Sequence, residues 1–364
     1  MNTQSIGLLK SEIETPALCL DADALERNIA RMAAFLADKP ARLRPHAKTH
    51  KCPAIAWKQL EAGALGITCA KLGEAEVMAQ AGIKDILIAN QIVGPTKIAR
   101  LVALARETRV ITAVEDAAHA AQLSEAAAAQ GVRLRTIIEV DVGMGRCGVL
   151  PGEPALALAQ QLVRLPGLQF EGLMGYEGHT VMVVDPAERR RVAMASMALL
   201  VGTAELLRAH GLPVSIVSAG GTGTCEISGR YPGVTELQCG SYATMDTKYR
   251  SVGIDYELAL TLVATVISVR GSDHAVIDAG VKALSSDFGM PDVISPGGWR
   301  VARLSEEHGI LARQADGEPL RRGDRVELLP SHGCTTINLH DAYTVTRGDR
   351  VTASWPIAAR GATR

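Results

Sequence analysis

The chain has 364 residues, of which 47% are hydrophobic and 21% charged, and its formal net charge is −1. That length exceeds one typical domain, and the near-neutral balance without a basic stripe argues against a nucleic-acid partner. No apolar run is expected to span a membrane, and residues 1–10 show no signal-peptide core. Seven scattered cysteines argue against a disulfide framework and for a cytoplasmic, enzyme-like protein.

From residue 15 to about 220 short apolar runs alternate with Ala/Leu-rich helical stretches. Strands are expected at Ala17–Leu20, Arg42–His46, Gly66–Ala70, Asp85–Asn90, Val110–Val114, Arg133–Asp141, Phe170–Tyr176 and Val214–Ala219. Helices are expected at about 24–38, 53–62, 72–81, 95–105, 116–130, 153–165 and 186–210. Asp21 or Asp23 and Gly94-Pro95 give start signals, and Gly131 and Gly211 give stops. Eight strands alternating with helices is the arithmetic of a (β/α)₈ TIM barrel, with a doubly wound open sheet as the competitor. Past residue 250 the pattern becomes mostly antiparallel β: Leu258–Val269, His274–Asp278, Arg325–Leu329, Ala342–Thr346 and Arg350–Trp355. The expected division is a barrel over 15–250 and a β domain over 251–364, the latter joined by residues 1–14.

Barrel chemistry collects at the C-terminal ends of strands. Lys48 lies there in the run Arg44-Pro45-His46-Ala47-Lys48-Thr49-His50-Lys51. Burial and neighbouring cations both disfavour an ammonium, which would free an amine to attack an aldehyde; the alternative is a basic strand end facing water. Arg146 sits in the glycine-rich loop Asp141–Gly148, where it can face a pyridine nitrogen, pair with Asp141, or both. Tyr176, Glu177 and His179 follow the seventh expected strand. Gly220-Gly221-Thr222-Gly223-Thr224 follows the eighth, and reads either as a phosphate cup of backbone N–H groups and hydroxyls or as a flexible turn. His332 and Cys334 stand two apart on an expected extended segment, which would turn both to one side; imidazole and thiolate make a partial shell for a divalent metal.

Across nearly its whole length the chain resembles the D-threonine aldolase and D-serine dehydratase family, pyridoxal-phosphate enzymes of the alanine-racemase-like fold. The resemblance is carried by the run around Lys48 and by Gly145-Arg146-Cys147-Gly148, Gly220-Gly221-Thr222-Gly223, Glu236-Leu237-Gln238-Cys239-Gly240-Ser241-Tyr242, Asp278-Ala279-Gly280, Glu307-His308-Gly309 and Asn338-Leu339-His340-Asp341. It implies that Lys48 holds pyridoxal 5′-phosphate as a Schiff base and that Arg146 faces the pyridine nitrogen. It implies that Gly221, Thr222, Gly223 and Thr224 take the phosphate, with Tyr176, Ser241 and Tyr242 at the same cofactor. It further implies a divalent metal (Zn or Mn, possibly Mg) on His332 and Cys334, a D-amino acid substrate and a homodimer. Two departures stand out: Cys334 occupies a position where the aldolases carry Asp, and Met182 occupies one where they carry a histidine.

The expected activity is therefore a lyase that splits a D-3-hydroxy amino acid by retro-aldol cleavage, with His179 or metal-bound hydroxide as base. The alternative is a dehydratase, in which Lys48 takes the α-proton and the metal carries off hydroxide. A racemase or a non-enzymatic cofactor carrier has no use for His332 and Cys334.

Overall fold

A computed structural model describes residues 5–364. It forms two compact units. One comprises residues 32–48, 55–240 and 362–364; the other comprises the described residues through Arg31, with 49–54 and 241–361. Beside the expected ranges, residues 15–31, 49–54 and 241–250 therefore lie with the antiparallel unit.

In chain order, β1 (Ala17–Asp21) and α1 (Ala22–Leu36) come first. The parallel strands follow: β2 (Arg42–Leu43), β3 (Ile67–Cys69), β4 (Asp85–Gln91), β5 (Arg109–Val114), β6 (Leu134–Glu139), β7 (Leu168–Met174), β8 (Ile216–Ala219) and β9 (Glu236–Leu237). Between them run α2 (Pro53–Glu61), α3 (Leu72–Gln80), α4 (Pro95–Ala105), α5 (Ala117–Ala129), α6 (Glu153–Leu162), α7 (Pro186–Ala209) and the short α8 (Cys225–Ser228). The sheet order is β2-β9-β8-β7-β6-β5-β4-β3. Its two ends meet at a bridge between His46 and Thr68, where the Thr68 N–H donates to the Pro45 carbonyl (2.8 Å) and the Ala47 N–H to the Thr68 carbonyl (2.7 Å). The sheet thus curls into the expected barrel.

The helices start where side chains or backbone satisfy their free N–H groups. Asp116 accepts from His119 N–H (2.8 Å) and Asp185 from Glu188 N–H (2.7 Å), while Pro95 opens α4. Leu87, Ile111, Ala113, Ile137, Met174 and Ile216 form a buried core across β4 to β8. Helix α7 is long and apolar enough, by length and composition, to cross a membrane, contrary to the sequence expectation. It packs on β7, β8, α6 and α8, with Ala193, Met197, Leu200, Ala204 and Leu207 buried, as a core helix does.

Two strand assignments are corrected. The expected first barrel strand is β1, which belongs to the other unit. The barrel's eighth member is β9, a two-residue strand that was not expected. β1 misleads because Leu18, Cys19 and Leu20 are buried on both faces, and such a run does not reveal whether its neighbours are parallel. β9 is hidden because Glu236 breaks its apolar pattern; the carboxylate is buried against the Arg44 guanidinium, both oxygens at 3.1 Å.

The antiparallel unit continues with α9 (Thr247–Ser251), β10 (Leu260–Arg270), β11 (His274–Ile277), β12 (Asp292–Ser295), β13 (Trp299–Leu304), β14 (Gly309–Arg313), β15 (Arg325–Leu329), α10 (Gly333–Ile337), β16 (Ala342–Arg347) and β17 (Arg350–Pro356). β10 is its hub, antiparallel to β1, β11 and β15; β1 and β16 form a parallel pair. Ile13, Ala17, Cys19, Val263 and Val351 pack as a core. β12, β13 and β14 were not expected: β12 is mostly exposed and β13 alternates with Arg300 and Arg303, so neither carries an apolar run. As expected, the N-terminal segment pairs here, Gly7 N–H donating to Val351 O (2.9 Å) and Lys10 N–H to Asp349 O (2.8 Å). Residues 1–4 lie outside the described residues.

Candidate active site

In the barrel unit the expected residues gather around one ring. Tyr176 follows β7; the Lys48 amine lies 5.6 Å and the Arg146 guanidinium 5.8 Å from its ring centroid. The strand-end position brings Lys48 there, half-buried. Arg44 is fully engaged elsewhere, by Glu236 and, in a close ion pair, by Asp85, so Arg146 is the cation that shares the tyrosine with Lys48. Gly221 lies beside that tyrosine: a Cβ there would be 3.2 Å from Cε2 and 3.4 Å from the hydroxyl. Amine, guanidinium and glycine segment therefore gather around one aromatic ring, which fits a flat, phosphorylated heterocyclic aldehyde.

Arg146 does not pair with Asp141. That carboxylate accepts the Gly143 and Gly145 N–H groups, each at 3.0 Å, and these hold it below the usual range. Asp141 thus shapes the loop, while Arg146 faces Glu139 at 3.9 Å. Burial pushes the Glu139 carboxyl up, opposed by the Gln91 amide at 2.5 Å and by Arg146. The Gln91 amide also reaches Glu115 (3.2 Å), which accepts the Gly148 N–H in a short bond. Glu115, Glu139 and Cys147 bring their ligand atoms within 4.8 Å of one another. The amide, the N–H and the nearby guanidinium already satisfy these carboxylates and oppose a further cation. Sequence reasoning missed Gln91, Glu115 and Glu139; all three stand at C-terminal ends of β4, β5 and β6, where the barrel rule would have found them.

His179 is exposed and lies against the Arg146 loop: a Cβ on Gly143 would be 3.2 Å from its Cε1 and Nε2. In the glycine segment, Thr224 gives its proton to Glu177 (2.7 Å) and accepts the Gly221 N–H (3.2 Å). Its hydroxyl therefore organises the segment from within. Thr222 is fully buried, and Gly223 is pressed on the Val181 carbonyl so closely that a Cβ would lie 2.1 Å from it. Only glycine permits that approach.

The antiparallel unit holds the second cluster. His332 is not on an extended segment shared with Cys334; it stands at the position just before α10, without a side-chain capping bond, and Cys334 lies in the first turn. That position still brings the two close enough for Cys334 to act on the imidazole. His332 Nδ1 meets Asp287 at 2.7 Å, and its ring stacks on Phe288 with centroids 4.1 Å apart and 4° between planes. Burial opposes the imidazolium, but Cys334 and Asp287 prevail and push His332 up to about 9. With Nδ1 held by a carboxylate, Nε2 is the nitrogen left to bind a metal, the usual arrangement of a metal-ligating histidine. Cys334 Sγ also reaches Thr49 Oγ1 (3.5 Å) and Ser241 Oγ (4.0 Å). This imidazole–thiol donor set fits a divalent metal. Of the two expected cofactor residues in this unit, Ser241 thus sits by Cys334, while Tyr242 is fully buried and packs edge-on against Tyr256 (5.7 Å, 65°).

A parallel barrel with its reactive side chains at the strand ends, accompanied by an antiparallel β unit, is the alanine-racemase-like class of architecture. Residues 20–248 match the family model "Alanine racemase, N-terminal domain" and residues 259–346 match "Putative serine dehydratase domain". A D-threonine aldolase of Arthrobacter sp is 38% identical over 358 residues, 97% of this chain and 94% of that protein. A D-threo-3-hydroxyaspartate dehydratase of Delftia sp. (strain HT23) is 34% identical, covering 94% of this chain and 97% of the relative. The crystal structure of D-threonine aldolase from Filomicrobium marinum superposes with a TM-score of 0.96 at 40% identity, covering 99% of both chains. The chain belongs to the D-threonine aldolase and D-serine dehydratase family of pyridoxal-phosphate lyases.

Proposed function

We propose that this protein is a pyridoxal 5′-phosphate- and divalent-metal-dependent lyase that cleaves D-3-hydroxy amino acids by a retro-aldol reaction, releasing glycine or a related amino acid and an aldehyde. The observation that carries the reading is the single tyrosine shared by the Lys48 amine, the Arg146 guanidinium and Gly221. Pyridoxal phosphate, when bound, supplies the electron sink for cleavage at Cα. Lys48 would hold the cofactor through its amine. Tyr176 would line the cofactor's place. Arg146 would face the pyridine nitrogen and, unable to give up its proton, would leave that nitrogen unprotonated. The 221–224 segment takes the phosphate. A metal on His332 and Cys334 would lower the pKa of the β-hydroxyl; the thiolate favours Zn over Mg, with Mn as the alternative. His179, exposed beside the Arg146 loop, takes the hydroxyl proton.

A dehydratase is the second reading, favoured by the thiol at Cys334 and by the Delftia relative. There Lys48 removes the α-proton, and the products are a keto acid and ammonia. Incubating the loaded enzyme with D-threonine and assaying all four product types tests both. The reading carries with it a homodimer and a cytoplasmic setting, the latter supported by seven cysteines that are all free thiols. Sedimentation of the holoenzyme tests the dimer.

A further inference from the structure

Glu177 is a fully buried carboxylate just past β7, and the proposed chemistry leaves it unused. A buried charge needs partners. It has three, all from the segment after β8. Oε2 accepts the Gly220 N–H (3.1 Å), and Oε1 accepts the hydroxyls of Thr224 (2.7 Å) and Ser228 (2.6 Å). Thr224 has spent its one proton, and it receives the Gly221 N–H at 3.2 Å. The carboxylate therefore grips both ends of the glycine segment, with Thr222 and Gly223 between them. From the other side Gly223 rests on the Val181 carbonyl, in the turn that Glu177 itself begins. A negative charge this close to an anion site opposes the anion. Its use there lies in shape: a carboxylate is acceptor-only, and three donors have to be turned inward at once.

We infer that Glu177 is a positioning residue that holds the Gly220–Thr224 segment in the form that receives a phosphate monoester. This rests on the reading of that segment as the cofactor's phosphate site. Glu177 and Tyr176 are neighbours in the chain, so one strand end fixes both the phosphate segment and the ring that carries the two cations.

In Glu177→Gln one carboxylate oxygen becomes an NH₂, and at least one of the three donors then faces another donor. Thr224→Val keeps the side-chain shape and removes the relay, and reads the same network should the glutamine variant not fold. Binding of pyridoxal 5′-phosphate and of pyridoxal, which lacks the phosphate, is measured by absorbance and fluorescence titration. Both variants are expected to lose at least about tenfold in affinity for the phosphorylated form, the size of a broken charged hydrogen bond. Affinity for pyridoxal is expected to stay within about twofold, and Thr224→Ser, which keeps the hydroxyl, to restore most of the loss. Equal losses for both ligands overturn the inference, because they mark a general structural role. So does unchanged or tighter binding of the phosphorylated form. A wild type that does not prefer the phosphorylated form overturns the phosphate-site reading and the inference with it. A wild type that prefers it, with variants that keep the preference, overturns the inference alone.

Discussion

The two clusters of reactive side chains are built by different means. Around Tyr176 the architecture does the positioning: strand ends deliver Lys48, Arg146 and the glycine segment, and glycines make the close approaches. Around His332 the positioning is done by side chains. Asp287 fixes one ring nitrogen, Phe288 stacks on the ring, and a short helix turns Cys334 toward it. The first kind of site takes its geometry from the closure of the barrel. The second depends on individual contacts, so single substitutions should tune it.

The difference can be pressed hardest at Lys48. In Lys48→Ala the imine absorbance of the bound cofactor is absent, and turnover falls by at least about 10³-fold, as spectra and product assays read. A persisting internal imine would remove Lys48 from the site. Next in size is loss of the metal. Chelation abolishes turnover and leaves the cofactor bound; full turnover of metal-free protein would falsify the role given to His332 and Cys334.

A smaller effect belongs to His179, which lies against the Arg146 loop but is exposed. His179→Ala lowers aldehyde release by about 10²-fold or more, with cofactor and metal content unchanged. Near wild-type cleavage would assign the base to metal-bound hydroxide.

The smallest effects probe how the second cluster is tuned. Asp287→Asn weakens metal affinity by about 10–100-fold, the usual cost of losing such a partner, read by competition with a coloured chelator. Acidity gives a further check. In the metal-free protein His332 is raised from 6.5 to about 9, so its imidazolium stabilises the fold fully below about 6.5. That contribution is lost as pH rises through about 9. A metal has to displace this proton, so its affinity should climb with pH up to about 9. Calorimetry in buffers of different ionisation enthalpy would report the proton released; none released at neutral pH would count against the raised value.

The same contrast governs what could be read from the sequence. The barrel was legible from its alternation, and Lys48, Arg146, Tyr176 and the glycine segment from their places at strand ends. The glycine segment's inner wiring was not: the sequence shows two threonines, but not that Thr224 turns its proton to Glu177. β1 is misplaced because a run buried on both faces does not reveal the direction of its neighbours, and β9 escapes notice because Glu236, paired with Arg44, breaks its apolar pattern. His332 and Cys334 were visible as a spaced pair, yet the residue that orients His332 lies 45 positions away. No local spacing announces such a partner.

The central claim is the bond that breaks. Protein loaded with pyridoxal phosphate and a divalent metal, given D-threonine, should release glycine and acetaldehyde in equal amounts, without ammonia. A 2-keto acid with stoichiometric ammonia, and no aldehyde, would contradict the retro-aldol account and establish elimination in its place.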